Sequence, residues 1–173
     1  MDLGLAGKRA LVTGSTKGIG RRITETLLAE GASVAICARD ADGVAKAVEE
    51  LSAGAPGRVW GAAVDAGNPD SLRSFIAAAI EHLGGLDIYV HNTSGKPAKT
   101  YEAWEANFRI DLMALVLGVD AASEALSANG GGALISIGTT AAGEHFASGA
   151  NSYSAFKAAV TNWTLGQAQT LGA

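Results

Sequence analysis

Short apolar runs alternate with helix-length amphipathic segments along this chain, and no other feature limits its possible folds as much. The runs are Lys8–Thr13, Ala32–Ala38, Arg58–Val64, Leu86–Val90 and Ala133–Ile137. Helical spacing of apolar residues marks Ile19–Glu30, Asp42–Ser52, Asp70–Leu83, Trp104–Leu126 and Ser152–Leu171. Turn signals separate them: Gly31, Asn68-Pro69, Gly84-Gly85 and the cluster from Asn129 to Gly132. In the longest helix Trp104, Phe108, Leu112, Leu115, Val119, Ala122 and Leu126 form one stripe. Phe156, Val160 and Trp163 share a register in the last helix. Buried strands joined through helices predict a parallel sheet covered on both faces. Right-handed crossovers make it doubly wound, an α/β fold. Ligands of such sheets bind beyond the carboxyl ends of the strands. A single domain is expected across residues 1–173.

Composition narrows the function classes. Hydrophobic residues are 48% and charged residues 17%, a globular balance rather than a disordered one. The formal net charge of -4 supplies no basic field for nucleic acid or an anionic membrane. No uninterrupted apolar stretch is long enough to span a bilayer, and Met1–Leu5 lacks the charged and apolar regions of a signal peptide. The single cysteine, Cys37, rules out a disulfide framework and suits a reducing compartment, so a cytoplasmic protein is expected. Cys37 reads as an inert strand residue, and Trp60, Trp104 and Trp163 read as packing residues. His82, His91 and His145 lack metal-ligand spacing, so no metal is expected.

Thr13-Gly14-Ser15-Thr16-Lys17-Gly18-Ile19-Gly20 joins the first strand to the first helix. Gly14 permits a tight turn, Gly18 lets backbone approach a pyrophosphate, and Gly20 lets the helix pack close to the sheet. The helix N-terminus then offers free N–H groups and its positive dipole end to phosphates. The spacing is G-x-x-x-G-x-G, not G-x-G-x-x-G, and no Gly-Lys-Ser/Thr of a Walker motif is present. Position after the first strand of a βαβ unit makes this a Rossmann-type dinucleotide site.

The second strand ends in Cys37-Ala38-Arg39-Asp40. An acid there would take the ribose hydroxyls of NAD, whereas an arginine accommodates a 2′-phosphate. Ala38 occupies the acid's place, and Arg39 follows it, with Lys17 a second cation at the same mouth. The expected cofactor is NADP(H). Asp40 either repels a 2′-phosphate or pairs with Arg39.

Tyr153 and Lys157 stand at i and i+4 near the start of the final helix, which sets a phenol beside an ammonium on one face. A free phenol ionises near ~10, and an adjacent cation and partial burial of the pair ease or oppose that ionisation. Such a phenol is suited to protonating a carbonyl during hydride addition.

The Thr-Gly-x-x-x-Gly-Ile-Gly turn and Tyr-x-x-x-Lys on a βα-alternating chain resemble the short-chain dehydrogenase/reductases, from Leu5 to the end. Within them the chain is most similar to NADP(H)-dependent carbonyl reductases of the 3-oxoacyl-carrier-protein reductase type. The resemblance implies a cofactor site of Gly14, Ser15, Thr16, Lys17, Gly18, Ile19, Gly20 and Arg39 with Asp65 and Ala66, where the acid contacts adenine, and Asn92, Tyr153 and Lys157. His91-Asn92-Thr93-Ser94 stands where the family has Asn-Asn-Ala-Gly, so His91, Thr93 and Ser94 depart from its pattern. The family's catalytic Asn falls at Asp111, a position that orders a water through its backbone carbonyl. Its catalytic Ser falls at Thr140, with Thr139 or Ser136 as the donor if the register slips. Tyr153 is then the acid/base, and Lys157 supports it and holds the nicotinamide ribose.

The family continues past this helix with two more strands and a substrate-covering segment, which leaves the fifth strand an expected open edge. The implied function is hydride transfer between NADP(H) and a carbonyl or secondary alcohol, a 3-oxoacyl thioester among the candidates. Homodimers or homotetramers through the long and final helices are implied as well. Two rivals stay open: a non-catalytic nucleotide-binding protein, and an inactive, partly folded fragment.

Overall fold

The apolar run Arg9–Thr13 becomes β1, the central strand of a five-stranded parallel sheet in this computed structural model, which describes residues 3–128, 130–144 and 149–171. The other strands are β2 (Ser33–Ala38), β3 (Val59–Ala63), β4 (Ile88–His91) and β5 (Ala133–Ser136), in the spatial order β3-β2-β1-β4-β5. Thr13 pairs with Cys37, Val12 with Val90, and His91 with Ser136, which fixes the register of the carboxyl edge. The chain reverses its direction of travel across the sheet between β1 and β4. That switch point is where a doubly wound sheet opens a crevice for ligands.

The helices are α1 (Gly18–Ala29), α2 (Ala41–Ser52), α3 (Pro69–Leu83), α4 (Tyr101–Asn107), α5 (Ala114–Ser127) and α6 (Ser152–Leu171). Strand residues alternate between two cores. Leu11, Ala35 and Tyr89 face Leu72, Phe75 and Ile76 of α3 and Leu115 and Val119 of α5. Ala10, Val12, Val34 and Ile36 face Leu27 and Leu28 of α1 and Ala47 and Leu51 of α2. Full burial of each large aliphatic contributes about 1.5–3 kcal/mol. Leu72→Ala in the first core would cost about 2–5 kcal/mol, because Leu72 is completely buried. The caps follow from sequence. Asn68 Oδ1 accepts from the Asp70 and Ser71 N–H groups at 3.0 Å each, Pro69 opens α3, and Gly84 closes it at φ 71°.

The long helix expected from Trp104 to Leu126 is divided. A π-helical turn, Phe108–Met113, separates α4 from α5. A π turn takes more residues per revolution than an α turn, so the apolar stripe loses its register there. Leu115, Val119, Ala122 and Leu126 are buried as expected, but Trp104 and Phe108 are 38% and 45% exposed. Those two rings instead meet Phe156 of α6, each with its centroid 5.8 Å away. Asn107 and Asp111, polar and fully buried, take the inward positions. β5 is an edge strand with Ile135 44% exposed, as the family resemblance implied. Among the described residues no helix is long and apolar enough to cross a membrane.

Candidate active site

The glycines of the first turn meet two different physical demands. Gly14 (φ 63°) and Gly18 (φ 60°) adopt left-handed backbone that other residues resist. At Gly20 an added methyl would sit 2.5 Å from both the Gly14 carbonyl oxygen and Asn92 Nδ2. Gly20 therefore allows α1 to lie against the strand ends. Thr16, Lys17, Gly18 and Ile19 reach the surface around the first turn of α1, with Ile19 63% exposed. The Ser15 side chain is turned inward. Its hydroxyl donates to the Val12 carbonyl at 2.6 Å and accepts from the Cys37 N–H at 3.2 Å, so it ties β1 to β2.

Asn92 closes the same crevice from the β4 side. Its Nδ2 donates to the carbonyls of Thr13 (3.0 Å) and Gly14 (2.9 Å), and Thr13 Oγ1 accepts from the Asn92 and Thr93 N–H groups. Asp65 lies exposed just past β3, where its Oδ1 accepts from the Gly67 N–H at 3.0 Å. The Ala66 side chain is in the core. Burial pushes the Cys37 thiol up to about 12, with a bond from the Gly14 backbone opposing, so it stays protonated and inert.

Beyond β2 a cavity of about 510 Å³ is lined by Thr16, Lys17, Arg39, Asp40, Gly43 and Lys46, among others. Arg21, in its wall, is paired with Glu25 (2.9 Å) and Glu50 (3.2 Å). Among the described residues Arg39 and Lys17 make no ion pair, and Asp40 does not take Arg39. Its carboxylate lies over the start of α2, 2.6 Å from where a methyl on Gly43 would stand. Lys46, not picked out in the sequence, reaches Glu50 only at 4.0 Å. Its place two turns into α2 is legible only once the helix is folded against the turn. A cradle with three cations at its mouth, and with open space beside Gly18, fits a phosphorylated dinucleotide.

At the carboxyl ends of β4 and β5 the buried polar residues converge. Lys157, 2% exposed, donates from Nζ to the Ile137 carbonyl at 2.9 Å and pairs with Asp111 Oδ1 at 3.4 Å. Its Nζ stands 5.9 Å from the centroid of the Tyr153 ring. Asp111 Oδ2 accepts from the Gly95 N–H (3.0 Å) and Asn107 Nδ2 (2.7 Å), and Oδ1 accepts from Ser94 Oγ (2.5 Å). Asn107 Oδ1 in turn accepts from Ser152 Oγ (2.6 Å), at the start of α6. The Asp111 side chain, rather than its backbone alone, thus organises the site. Asn107 and Ser152 escaped the sequence reading, which named Ser94 only as a departure from the family pattern. The one available signal was a polar residue at i−4 of Asp111 inside an apolar helix.

The three candidate hydroxyls are distinguished. Ser136 Oγ is 3.0 Å from Thr164 Oγ1 on α6. Thr139 Oγ1 accepts from the Ala141 N–H at 3.3 Å, capping a short 3-10 turn, Thr140–Ala142, packed against α6. Thr140 is exposed, and its hydroxyl is uncommitted among the described residues. His91, 1% exposed, has neither ring nitrogen hydrogen-bonded. Burial pushes its imidazole down to about 4, and the Lys157 charge adds to this while Asp111 opposes it. No cluster of His, Cys, Asp and Glu able to hold a metal occurs among the described residues, and His145 lies outside them.

Known proteins are similar to this chain in sequence and fold. The short chain dehydrogenase family matches residues 8–173. The 7alpha-hydroxysteroid dehydrogenase of Escherichia coli (strain K12) is 30% identical over 99% of this chain and 68% of its own. Dehydrogenase/reductase SDR family member 4 of Oryctolagus cuniculus is 33% identical over 98% of this chain and 66% of its own. An uncharacterized oxidoreductase of Bacillus subtilis (strain 168) is 36% identical, and the chain spans 45% of its length. A Burkholderia cenocepacia short chain dehydrogenase solved with NADP superposes with a TM-score of 0.89 at 34% identity, covering 97% of this chain and 70% of that one. The L-sorbose reductase of Gluconobacter frateurii, solved with NADPH and L-sorbose, superposes at 0.91 with 30% identity, covering 98% and 66%. With the family matched along nearly its whole length and the turn and the Tyr/Lys helix in place, the chain belongs to the short-chain dehydrogenases.

Proposed function

We propose that this chain carries the cofactor half and the acid/base pair of an NADP(H)-dependent oxidoreductase acting on a ketone or the matching secondary alcohol. One observation carries the reading: Lys157 is held by Asp111 and the Ile137 carbonyl beside Tyr153, at the same sheet edge as the glycine turn. The cofactor supplies or accepts hydride. Tyr153 Oη donates a proton to the substrate oxygen in reduction and takes it back in oxidation. Thr140, with its hydroxyl uncommitted, donates a hydrogen bond to that oxygen. Lys157 places a positive charge near the phenol. Gly14, Thr16, Lys17, Gly18, Ile19 and the first N–H groups of α1 hold the pyrophosphate, and Gly20 and Asn92 shape the turn. Asp65 and the Ala66 backbone border the adenine.

The preference for NADP(H) rests on Arg39 and Lys17, and Lys46 strengthens it, because all three line one cavity, which Asp40 and Glu50 also border. The related L-sorbose reductase is described with NADPH, and a related 7alpha-hydroxysteroid dehydrogenase with NADH. The local cations therefore support NADP(H) in this reading. A homodimer or homotetramer through α4, α5 and α6 belongs to this reading, supported by exposed Tyr101, Trp104, Phe108 and Leu165 on those elements and the turn between them.

The test is NADPH oxidation by the purified chain against ketones and 3-oxoacyl thioesters, with Tyr153→Phe as control. Turnover lost in that variant supports the reading. Tight NADPH binding with no turnover in either protein replaces it with a nucleotide-binding role.

A further inference from the structure

Tyr153 lies between two buried tethers of α6. At the first residue of the helix, Ser152 Oγ donates to Asn107 Oδ1 at 2.6 Å. One turn beyond Tyr153, Lys157 donates to the Ile137 carbonyl and forms its ion pair with Asp111. Asn107 Nδ2 joins the two tethers by donating to Asp111 Oδ2 at 2.7 Å. Asn107, Asp111 and Ser152 are completely buried. Only one orientation of the amide satisfies these contacts. A carboxylate accepts, so Nδ2 faces Asp111, and Oδ1, which also only accepts, faces Ser152. The Ser152 hydroxyl has one proton and two acceptors in reach, Asn107 Oδ1 and the Ala98 carbonyl at 2.9 Å. The Ala98 carbonyl already accepts from the Ser152 N–H at 3.1 Å, whereas Asn107 Oδ1 has no other donor among the described residues. The hydroxyl proton therefore belongs to Asn107. The other contacts of this turn do different work. The Asn151 side chain caps α6 locally by accepting from the Ser154 N–H at 3.0 Å. Phe156 packs on Trp104 and Phe108, an attraction without direction that tolerates sliding. The hydrogen bond to Asn107 is directional, and it fixes how the turn is rotated against the π turn.

We propose that Asn107 is a positioning residue for Tyr153, acting through Ser152. It holds the residue next to Tyr153 and the carboxylate beside Lys157 on one side chain, so the phenol and the ammonium keep one relative placement. The inference rests on the acid/base reading of Tyr153 given above. Completely buried, Asn107 does not reach substrate or cofactor. Its effect is on the geometry of the reacting group, where a displacement of about 1 Å costs about a hundredfold in rate.

The test compares Asn107→Leu, Ser152→Ala and the double variant with the wild-type chain, using NADPH and whichever ketone or 3-oxoacyl thioester it turns over. Asn107→Leu keeps the volume, and Ser152 Oγ can then turn to the Ala98 carbonyl. Each single variant is expected to lower kcat about ten- to a hundredfold and leave KM for NADPH unchanged. The double variant should lose no more than the worse single one, because both break the same bond. Leu72→Ala, a core cavity outside the site, should keep its kcat below its melting temperature, which separates misplacement from instability. A full kcat in Asn107→Leu, additive losses in the double variant, or an equal loss in Leu72→Ala overturns the inference. A second readout needs no turnover. The chain has three tyrosines, Tyr89, Tyr101 and Tyr153. With 3-fluorotyrosine in the cofactor-free protein, the fluorine resonance lost in Tyr153→Phe should shift in Asn107→Leu and in Ser152→Ala, while that of Tyr89, buried in β4, stays in place. A stationary Tyr153 resonance also overturns the inference. If the wild type turns over nothing, the acid/base reading fails and this role falls with it. Turnover indifferent to Asn107 sinks the positioning role alone.

Discussion

Lys157 Nζ and Asp111 Oδ1 lie 3.4 Å apart with both side chains almost wholly removed from solvent, at 2% and 0% exposure. Removing one partner of such a pair strands the other charge in the interior, which costs about 3–5 kcal/mol. Lys157→Met is therefore expected to lower stability by about that amount. Lys157→Met combined with Asp111→Asn should lose less than Lys157→Met alone, because no charge is then orphaned. Urea unfolding of the four proteins in this cycle measures the coupling. Additive losses would show that the ion pair contributes little to folding.

His91 supplies an acid-sensitive switch of stability. Its buried imidazole titrates near about 4 in the fold, against ~6.5 in an unfolded chain. The unfolded state therefore takes up the proton first. The contribution of neutral His91 is complete above ~6.5 and is lost as pH falls toward about 4, a loss of roughly 3 kcal/mol. Asp87 acts in a lower window. The Arg9 guanidinium holds its carboxyl below the usual range, so its contribution fades only as pH drops further. His91→Asn, the family residue at that position, should flatten the stability curve between pH 6.5 and 4 and leave the lower limb unchanged. Denaturant melts across pH read this directly, and an unaltered slope in that interval refutes it.

Cofactor choice should follow the three cations beyond β2. Arg39→Asp is expected to shift the NADP/NAD ratio of kcat/KM toward NAD by about ten- to a hundredfold, the equivalent of one or two charge-assisted hydrogen bonds. Lys46→Ala should act in the same direction with a smaller effect, because Lys46 is exposed at 77% and screened. Raising salt should weaken NADPH binding more than NADH binding. An unchanged ratio in Arg39→Asp removes the electrostatic basis for the cofactor assignment.

The alternation of strands and helices, the glycine turn and the Tyr/Lys pair were legible because each is a local pattern: a period, a backbone demand, or an i, i+4 spacing. Asn68-Pro69 and Gly84 bounded α3 for the same reason. The π turn at Phe108–Met113 was not legible, since a stripe interrupted by one extra residue still reads as a helix. Asp111 was found by likeness to a family, but its side-chain role depends on Asn107 one turn before it and on Ser94 and Lys157, which come from two other stretches of chain. Lys46 was hidden in the same way, being one charge among many until α2 folds beside Arg39. Ser15 shows the converse. Its place in the motif suggested a phosphate contact, and only the fold shows its hydroxyl spent on Val12 and Cys37.

The far end of the sheet offers a prediction that separates folding from chemistry. Arg9 Nε and Nη2 donate to Asp87 Oδ2 (2.8 Å) and Oδ1 (3.1 Å), and Nη1 donates to the Gly84 carbonyl (2.6 Å). This fork clamps the amino ends of β1 and β4, the two strands whose carboxyl ends form the crevice. A forked guanidinium–carboxylate pair that also holds a helix C-terminus is stronger than an exposed ion pair, and losing it should cost about 1–3 kcal/mol. Arg9→Lys, which cannot make the fork, should lose most of that stability. Neither Arg9→Lys nor Asp87→Asn should alter NADPH affinity below the melting temperature, because the crevice lies at the opposite end of the strands. Thermal melts with NADPH titrations at a low temperature check both parts. Weakened NADPH binding in the folded variants would show that the clamp sets the spacing of β1 and β4 along their full length.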